Sequence, residues 1–282
     1  MKRNLKISLI LILLSIVFLA QDVFPAEEEF HKTYNVPADT EVSVRNVNGN
    51  IRVSGWDEDY VDVYALKKSK LGQEELDRVT IDVTVNGSID INTVIRKRDE
   101  QDDTFFGRLF GNVYRRSPKV SVEYTIKLPA SVLLTNATST NGNVIVAGTA
   151  GDSNIRTTNG NINVKNTDGL IEAKSTNGNI SITDGAVARS ARTTNGSIKA
   201  GISDDFMDET NISTTNGSIH LYVPKGINAD LELKTVNGGI NLNGIRMMVD
   251  KLSKRHVTGS LGDGGKKIYA RTVNGGVTIE ED

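Results

Sequence analysis

Apolar and polar side chains alternate along much of this chain, and from about residue 137 the alternation is locked to a recurring phrase. The phrase reads Thr or Ser, one residue, Asn-Gly, a small residue, then Ile or Val. Its Asn-Gly pairs fall at Asn141, Asn159, Asn177, Asn195, Asn216, Asn237 and Asn274, with an outlying copy at Asn48. The first four are spaced by 18 residues and the later ones by 21, 21 and 37. Four residues before each Asn stand Val44, Ala137, Ile155, Ala173, Ala191, Ile212, Leu233 and Ala270. Three and five residues after it the chain is again aliphatic, as in Ile162 and Val164 or Ile180 and Ile182. Alternation with a period of two on both sides of a Gly is a strand–turn–strand pattern with one face inward. Gly is expected to supply the positive φ of a tight turn, and stacked Asn side chains to bond to one another along the repeat axis.

Two all-β architectures fit these columns. In a hairpin-rich antiparallel sandwich, Asn-Gly would be a two-residue hairpin turn. In a β-solenoid of 18–21-residue coils, each coil leaves an apolar face that only its neighbours can bury. The repeat region offers no second apolar layer, and no Phe, Tyr or Trp lies between Tyr124 and Phe206. A thin core of Ile, Val, Ala and Thr favours the solenoid, right-handed by the usual preference of parallel connections.

The remainder of the chain sets the organisation. Lys2, Arg3 and Lys6 precede an apolar run from Ile7 to Ala20. Residues 1–26 therefore read as a secretory signal with cleavage after Ala26, an uncleaved anchor being the alternative. Residues 27–135 are expected to form an N-terminal β part with strands near Val61–Ala65, Val79–Val85, Ile89–Ile95 and Val120–Leu128, interrupted by a loop at 96–118. Residues 136–282 form the regular repeat. Within it Ile245, Met248, Val249 and Leu252 have helical spacing, which predicts a short helix at 245–257 covering the coil end. The chain has no Cys, so neither a disulfide framework nor lipid attachment through cysteine is available. Without residues 1–26 it carries 30 basic and 34 acidic side chains, a net charge of −4 that argues against nucleic-acid binding.

The stretch Val-Arg-Asn-Val-Asn-Gly-Asn-Ile-Arg-Val from Val44 is followed by Gly55-Trp56-Asp57, then Val122-Glu123-Tyr124-Thr125-Ile126, Leu128-Pro129 and the Asn-Gly repeats. In this order the residues resemble the bacterial DUF4097 family, also called the "putative adhesin" family, over about residues 30–282. The resemblance implies an exported solenoid-like envelope protein, sometimes tied to envelope-stress systems, with no catalytic residues to carry over.

The residues themselves offer little chemistry. His31, His220 and His256 show no metal-ligand spacing, and no Gly-x-Ser-x-Gly elbow is present. The outward columns hold no Asp or Glu across the eight copies, which argues against a polysaccharide-cleaving enzyme. No catalytic, cofactor or metal site is expected.

Two surfaces stand out instead. Three residues before the Asn, the column reads Arg45, Thr138, Arg156, Lys174, Arg192, Ser213, Lys234 and Arg271. Six of the eight are basic, and if rungs lie about 4.8 Å apart they form a linear track for an acidic glycan or other envelope polymer. The competing reading is a solubilising face whose aliphatic stems cover the sheet. The second surface is the loop bearing Phe105, Phe106, Arg108, Leu109, Phe110, Tyr114, Arg115 and Arg116, which would pack on the solenoid or touch a membrane surface or membrane protein. The sequence thus reads as an exported, non-catalytic protein of the periplasm, envelope or cell exterior that binds, adheres or scaffolds; a regulatory accessory to an envelope-stress system is the alternative.

Overall fold

The computed structural model describes residues 24–96, 119–203 and 209–281. The chain builds two long, mostly parallel sheets of eleven and twelve strands in a solenoid-like arrangement. Strands on either side of the Asn-Gly of each repeated phrase lie in different sheets, so there the pair does not close a hairpin; only Asn86-Gly87, outside the phrase, joins antiparallel neighbours of one sheet. Ser153–Asn159 lies between Leu133–Asn141 and Leu170–Lys174 in one sheet. Ile162–Lys165 lies between Val144–Ala147 and Ile180–Thr183 in the other. Register is kept across 18 residues, with Ile162 opposite Ile180 and Ile180 opposite Ile198. The three aliphatic columns meet between the sheets, and from Val44 to Leu221 their members are at most 3% exposed.

Each phrase position has a separate task at the arc between the sheets. The Ser or Thr two residues before the Asn is buried, and its hydroxyl donates to a Gly carbonyl of the adjacent coil. Thr157 to Gly142, Ser175 to Gly160 and Thr193 to Gly178 do so at 2.8–3.0 Å. The Asn carboxamides form one continuous ladder. Asn141 donates to Asn48, Asn159 to Asn141, Asn177 to Asn159 and Asn195 to Asn177, all at 2.7–2.8 Å. Asn216 donates to Asn195, Asn274 to Asn216 and Asn237 to Asn274 at the same spacing. A second ladder runs two residues on, where the Asn50, Asn143 and Asn161 side chains accept from the next coil's amide at 2.8 Å.

The Gly has a second role besides the one expected. Gly49 takes a positive φ of 111°, but Gly160 and Gly178 do not. A methyl group on Gly178 would instead overlap the carbonyl oxygen of Gly160, and one on Gly160 the carbonyl of Gly142. Close approach of successive arcs, not a left-handed turn, excludes every other side chain here.

Stacking order departs from chain order at both ends. The coil of Asn274, Lys267–Arg271 and Val277–Glu281, is inserted between the coils of Asn216 and Asn237. At the other end a coil without Asn-Gly, Ser88–Ile95 and Val120–Pro129, stacks on the Asn48 coil. Its Tyr124 fills the column of Ile51 and is 2% exposed, its hydroxyl 2.8 Å from Thr93 Oγ1. Burial pushes that phenol up to about 12. Asn46 stands where other coils have Ser or Thr because it must serve this junction: its amide donates to Val122 O and Gly49 O.

Antiparallel strands finish the stack. Ala26–Tyr34 pairs with Val61–Ser69, and Val79–Val85 with Ser88–Ile95. The helix Gln73–Asp77 packs there with Leu76 fully buried. At the opposite end, the helix expected at 245–257 is instead a hairpin, Met248–Ser253 with His256–Leu261. A bulge at Asp250 explains the misleading spacing: Val249 lies opposite Gly259 and Leu252 opposite Val257, so residues three apart share a face of a strand.

Candidate functional site

Outward positions on the sheet that holds the strands before each Asn form the basic column. Register places Arg45 beside Thr138, Thr138 beside Arg156, Arg156 beside Lys174 and Lys174 beside Arg192. Ser213 follows, and the inserted coil then sets Arg271 between Ser213 and Lys234. Arg45, Arg156, Lys174, Arg192 and Arg271 are exposed, while Lys234 is half-buried.

The column is not uniform. Lys234 is committed to Glu232, which also takes Lys267, and its ammonium lies 5.8 Å from the Tyr269 ring centroid. These two lysine hydrogen bonds hold the Glu232 carboxyl down at about 2, the opposite of the shift a general acid needs. Glu172, two positions before Lys174, pairs with Arg189, which also reaches Asp152. Arg156 donates to the neutral Asn154 at 2.8 Å. Among the described residues, no carboxylate forms an ion pair with Arg156, Lys174 or Arg192. Three cations on consecutive rungs, at about 4.8 Å per rung, lie well within one screening length of each other. Such an arrangement favours an extended anion able to lie across several rungs.

Among the described residues, no three His, Asp or Glu side chains gather as metal ligands. A shallow groove of about 520 Å³ on the other sheet is lined by Ser181, Thr183, Asp184, Lys199, Tyr222 and Pro224, with a single carboxylate. His220 is stacked on Tyr222 and 3.1 Å from Glu280. His31 is 2.6 Å from Asp62 near the far end of the stack. The aromatic-basic residues Phe105, Phe106, Arg108, Leu109, Phe110, Tyr114, Arg115 and Arg116 lie outside the described residues, as does the segment read as a signal up to residue 23. No described helix is long and apolar enough to cross a membrane.

Sequence reasoning missed the exposed hairpin at the end of the stack. Its signal was present as Met248, Val249 and Leu252 among Arg246, Lys251, Lys254 and Arg255.

A family model described as Toastrack DUF4097 matches residues 32–280. No curated protein is significantly similar to the chain. Similar solved structures include a "putative adhesin" from Bacteroides fragilis, 13% identical, with a TM-score of 0.44, covering 92% of this chain and 100% of that one. A "putative adhesin" from Parabacteroides distasonis is 16% identical, with a TM-score of 0.36 and coverage of 90% and 97%. A "putative lipid binding protein" from the same organism is 12% identical, with a TM-score of 0.25 and coverage of 91% and 97%.

Proposed function

This chain belongs to the DUF4097 family, and from that premise we propose that it is an exported, non-catalytic envelope protein whose stacked sheet holds an acidic polymer. The carrying observation is the exposed Arg156–Lys174–Arg192 track on consecutive rungs, with no carboxylate of the described residues paired to it. The ladders at the arcs fix the rung spacing, so the backbone positions of the cations are preset and only their side chains are ordered on contact. Affinity arises from several modest charge-assisted bonds made at once, so it falls steeply with salt and grows with polymer length.

The test is retention on heparin or an acidic glycan at low and moderate salt. Replacing Arg156, Lys174 and Arg192 together by Gln should abolish retention and leave the thermal transition almost unchanged, because exposed strand positions contribute little to the core. Co-elution of the triple variant with the parent would reduce the column to a solvated face.

A further inference from the structure

The two ends of the stack are finished differently. At one end the buried Leu76 of the helix Gln73–Asp77 covers the core. At the other, the strand Ile240–Asn243 is the last of its sheet, and Ile240 and Leu242 are only partly buried although their columns are closed elsewhere. The opposite sheet runs two strands further, through His256–Leu261 to Met248–Ser253. The hairpin therefore overhangs the last coil.

Every residue of Met248–Ser253 is exposed, with Met248 at 72%, Leu252 at 68% and Val249 at 47%. Val249 and Leu252, opposite Gly259 and Val257, sit on the core side of the overhang; Met248, opposite Ser260, sits on the other. Apolar groups thus line both faces of one rim. Within residues 246–255, Arg246, Lys251, Lys254 and Arg255 outnumber a single acid, Asp250, a segment charge of +3 in a chain of net charge −2. The acids on the strand beyond, Asp230 and Glu232, are taken up by Ser260 and by Lys234 and Lys267. Lysines alone would suffice to keep an edge strand from pairing, but that role does not call for exposed Met and Leu.

We propose that this overhanging hairpin docks end-on into the headgroup region of an anionic lipid surface. Met248 and Leu252 enter the acyl boundary while Lys251, Lys254 and Arg255 meet phosphates, the combination that holds peripheral elements at charged membranes. A second copy offers less. The opposite end would present Glu27, Glu28 and Glu29 to the basic groups, but the helix there turns Gln73, Glu74 and Asp77 outward, which cannot take up Met248 and Leu252. Docked this way the stack stands away from the bilayer and leaves the basic column free.

Because the chain has no Cys, one introduced Cys carries one probe. Full-length Leu252→Cys, labelled with an environment-sensitive fluorophore, is mixed with vesicles of equal parts phosphatidylglycerol and phosphatidylcholine. A label at Thr176→Cys, on the exposed flank of a central coil, serves as the reference. The label at 252 should shift to the blue and be quenched by lipid-borne quenchers, and the one at 176 should not. Replacing Lys254 and Arg255 by Glu should weaken this response roughly tenfold or more, since each basic residue near the surface contributes to attraction. The Arg156, Lys174, Arg192 triple Gln variant should leave it unchanged, which separates this docking from polymer binding. A label at 252 that stays in water while the protein sits on vesicles overturns the proposal. So does a response equal on pure phosphatidylcholine, or vesicle-free self-association that the Glu pair abolishes.

Discussion

The carboxamide of Asn237 donates to that of Asn274 at 2.8 Å, although Asn274 comes 37 residues later and lies nearer the start of the ladder. The final coil is therefore an interior one. Ile279, fully buried within it, should behave as a central core residue, and Ile279→Ala should cost about 2–5 kcal/mol. Leu242 lies in the terminal coil and is half-exposed, so Leu242→Ala should cost about 1 kcal/mol or less. Denaturant unfolding of the two variants checks the order. Equal losses would contradict the insertion.

Gly178 and Gly239 make a matched test of close approach. A methyl group on Gly178 meets the Gly160 carbonyl, whereas one on Gly239 meets nothing within 4 Å. Gly178→Ala should destabilise by about 1–3 kcal/mol through overpacking, and Gly239→Ala should fall within about 0.5 kcal/mol of the parent. Thermal or chemical denaturation decides it, and two indistinguishable variants would refute the account.

Within the ladder, Asn177 donates to Asn159 and accepts from Asn195. Asn177→Ala removes both bonds at a water-exposed edge, so a loss of about 1–2 kcal/mol is expected. Asn177→Asp should do no better, since a carboxylate cannot donate to Asn159 Oδ1. Rescue by Asp would show that the ladder's direction carries no energy.

Acid should loosen the last coils through Glu232. Its carboxyl is held at about 2 by hydrogen bonds from Lys234 and Lys267, against an ordinary value of 4.5. A depressed folded value means a contribution fully present above about 4.5 and lost as pH falls toward 2. His256, 3.9 Å from Glu232, acts with the same sign: burial and the Lys251 and Lys234 charges lower its value, so protonating it opposes folding. Melting temperatures from pH 7 to 2.5 should show Glu232→Gln below the parent at neutrality, the gap closing in acid. Parallel curves would remove Glu232 from the explanation.

The columns were legible because burial repeats at fixed spacing: Ile162, Ile180 and Ile198 announce themselves in the sequence and stack as expected. What failed was geometry that spacing does not encode. The 37-residue gap before Asn274 looks the same whether its coil follows or interrupts the stack. The coil of Tyr124 was hidden because its two strands are joined through residues 96–119 with no Asn-Gly phrase. At Val249 and Leu252 a bulge at Asp250 reproduced a helical period on a strand. For the basic column, the outward position of Arg156 and Lys174 followed from alternation. The capture of Lys234 by Glu232 and the pairing of Glu172 with Arg189 depend on side-chain reach across rungs, which no column shows.

The insertion of the Asn274 coil also sets a timetable. Strand Ala229–Lys234 has no partner in the Asn216 coil; its neighbours are His256–Leu261 and Lys267–Arg271. As the chain emerges, coils up to Asn216 can add one on another, but the next to be made has nothing to stack on until residues 267–281 arrive. During that interval the Asn216 coil presents open strand edges, the state most prone to pairing with another chain. Closing the gap requires contacts between segments far apart in sequence, which form slowly. The slowest and most exposed moment in the building of this fold therefore falls after the Asn237 coil has been made, and it lasts until residues 267–281 slide in between.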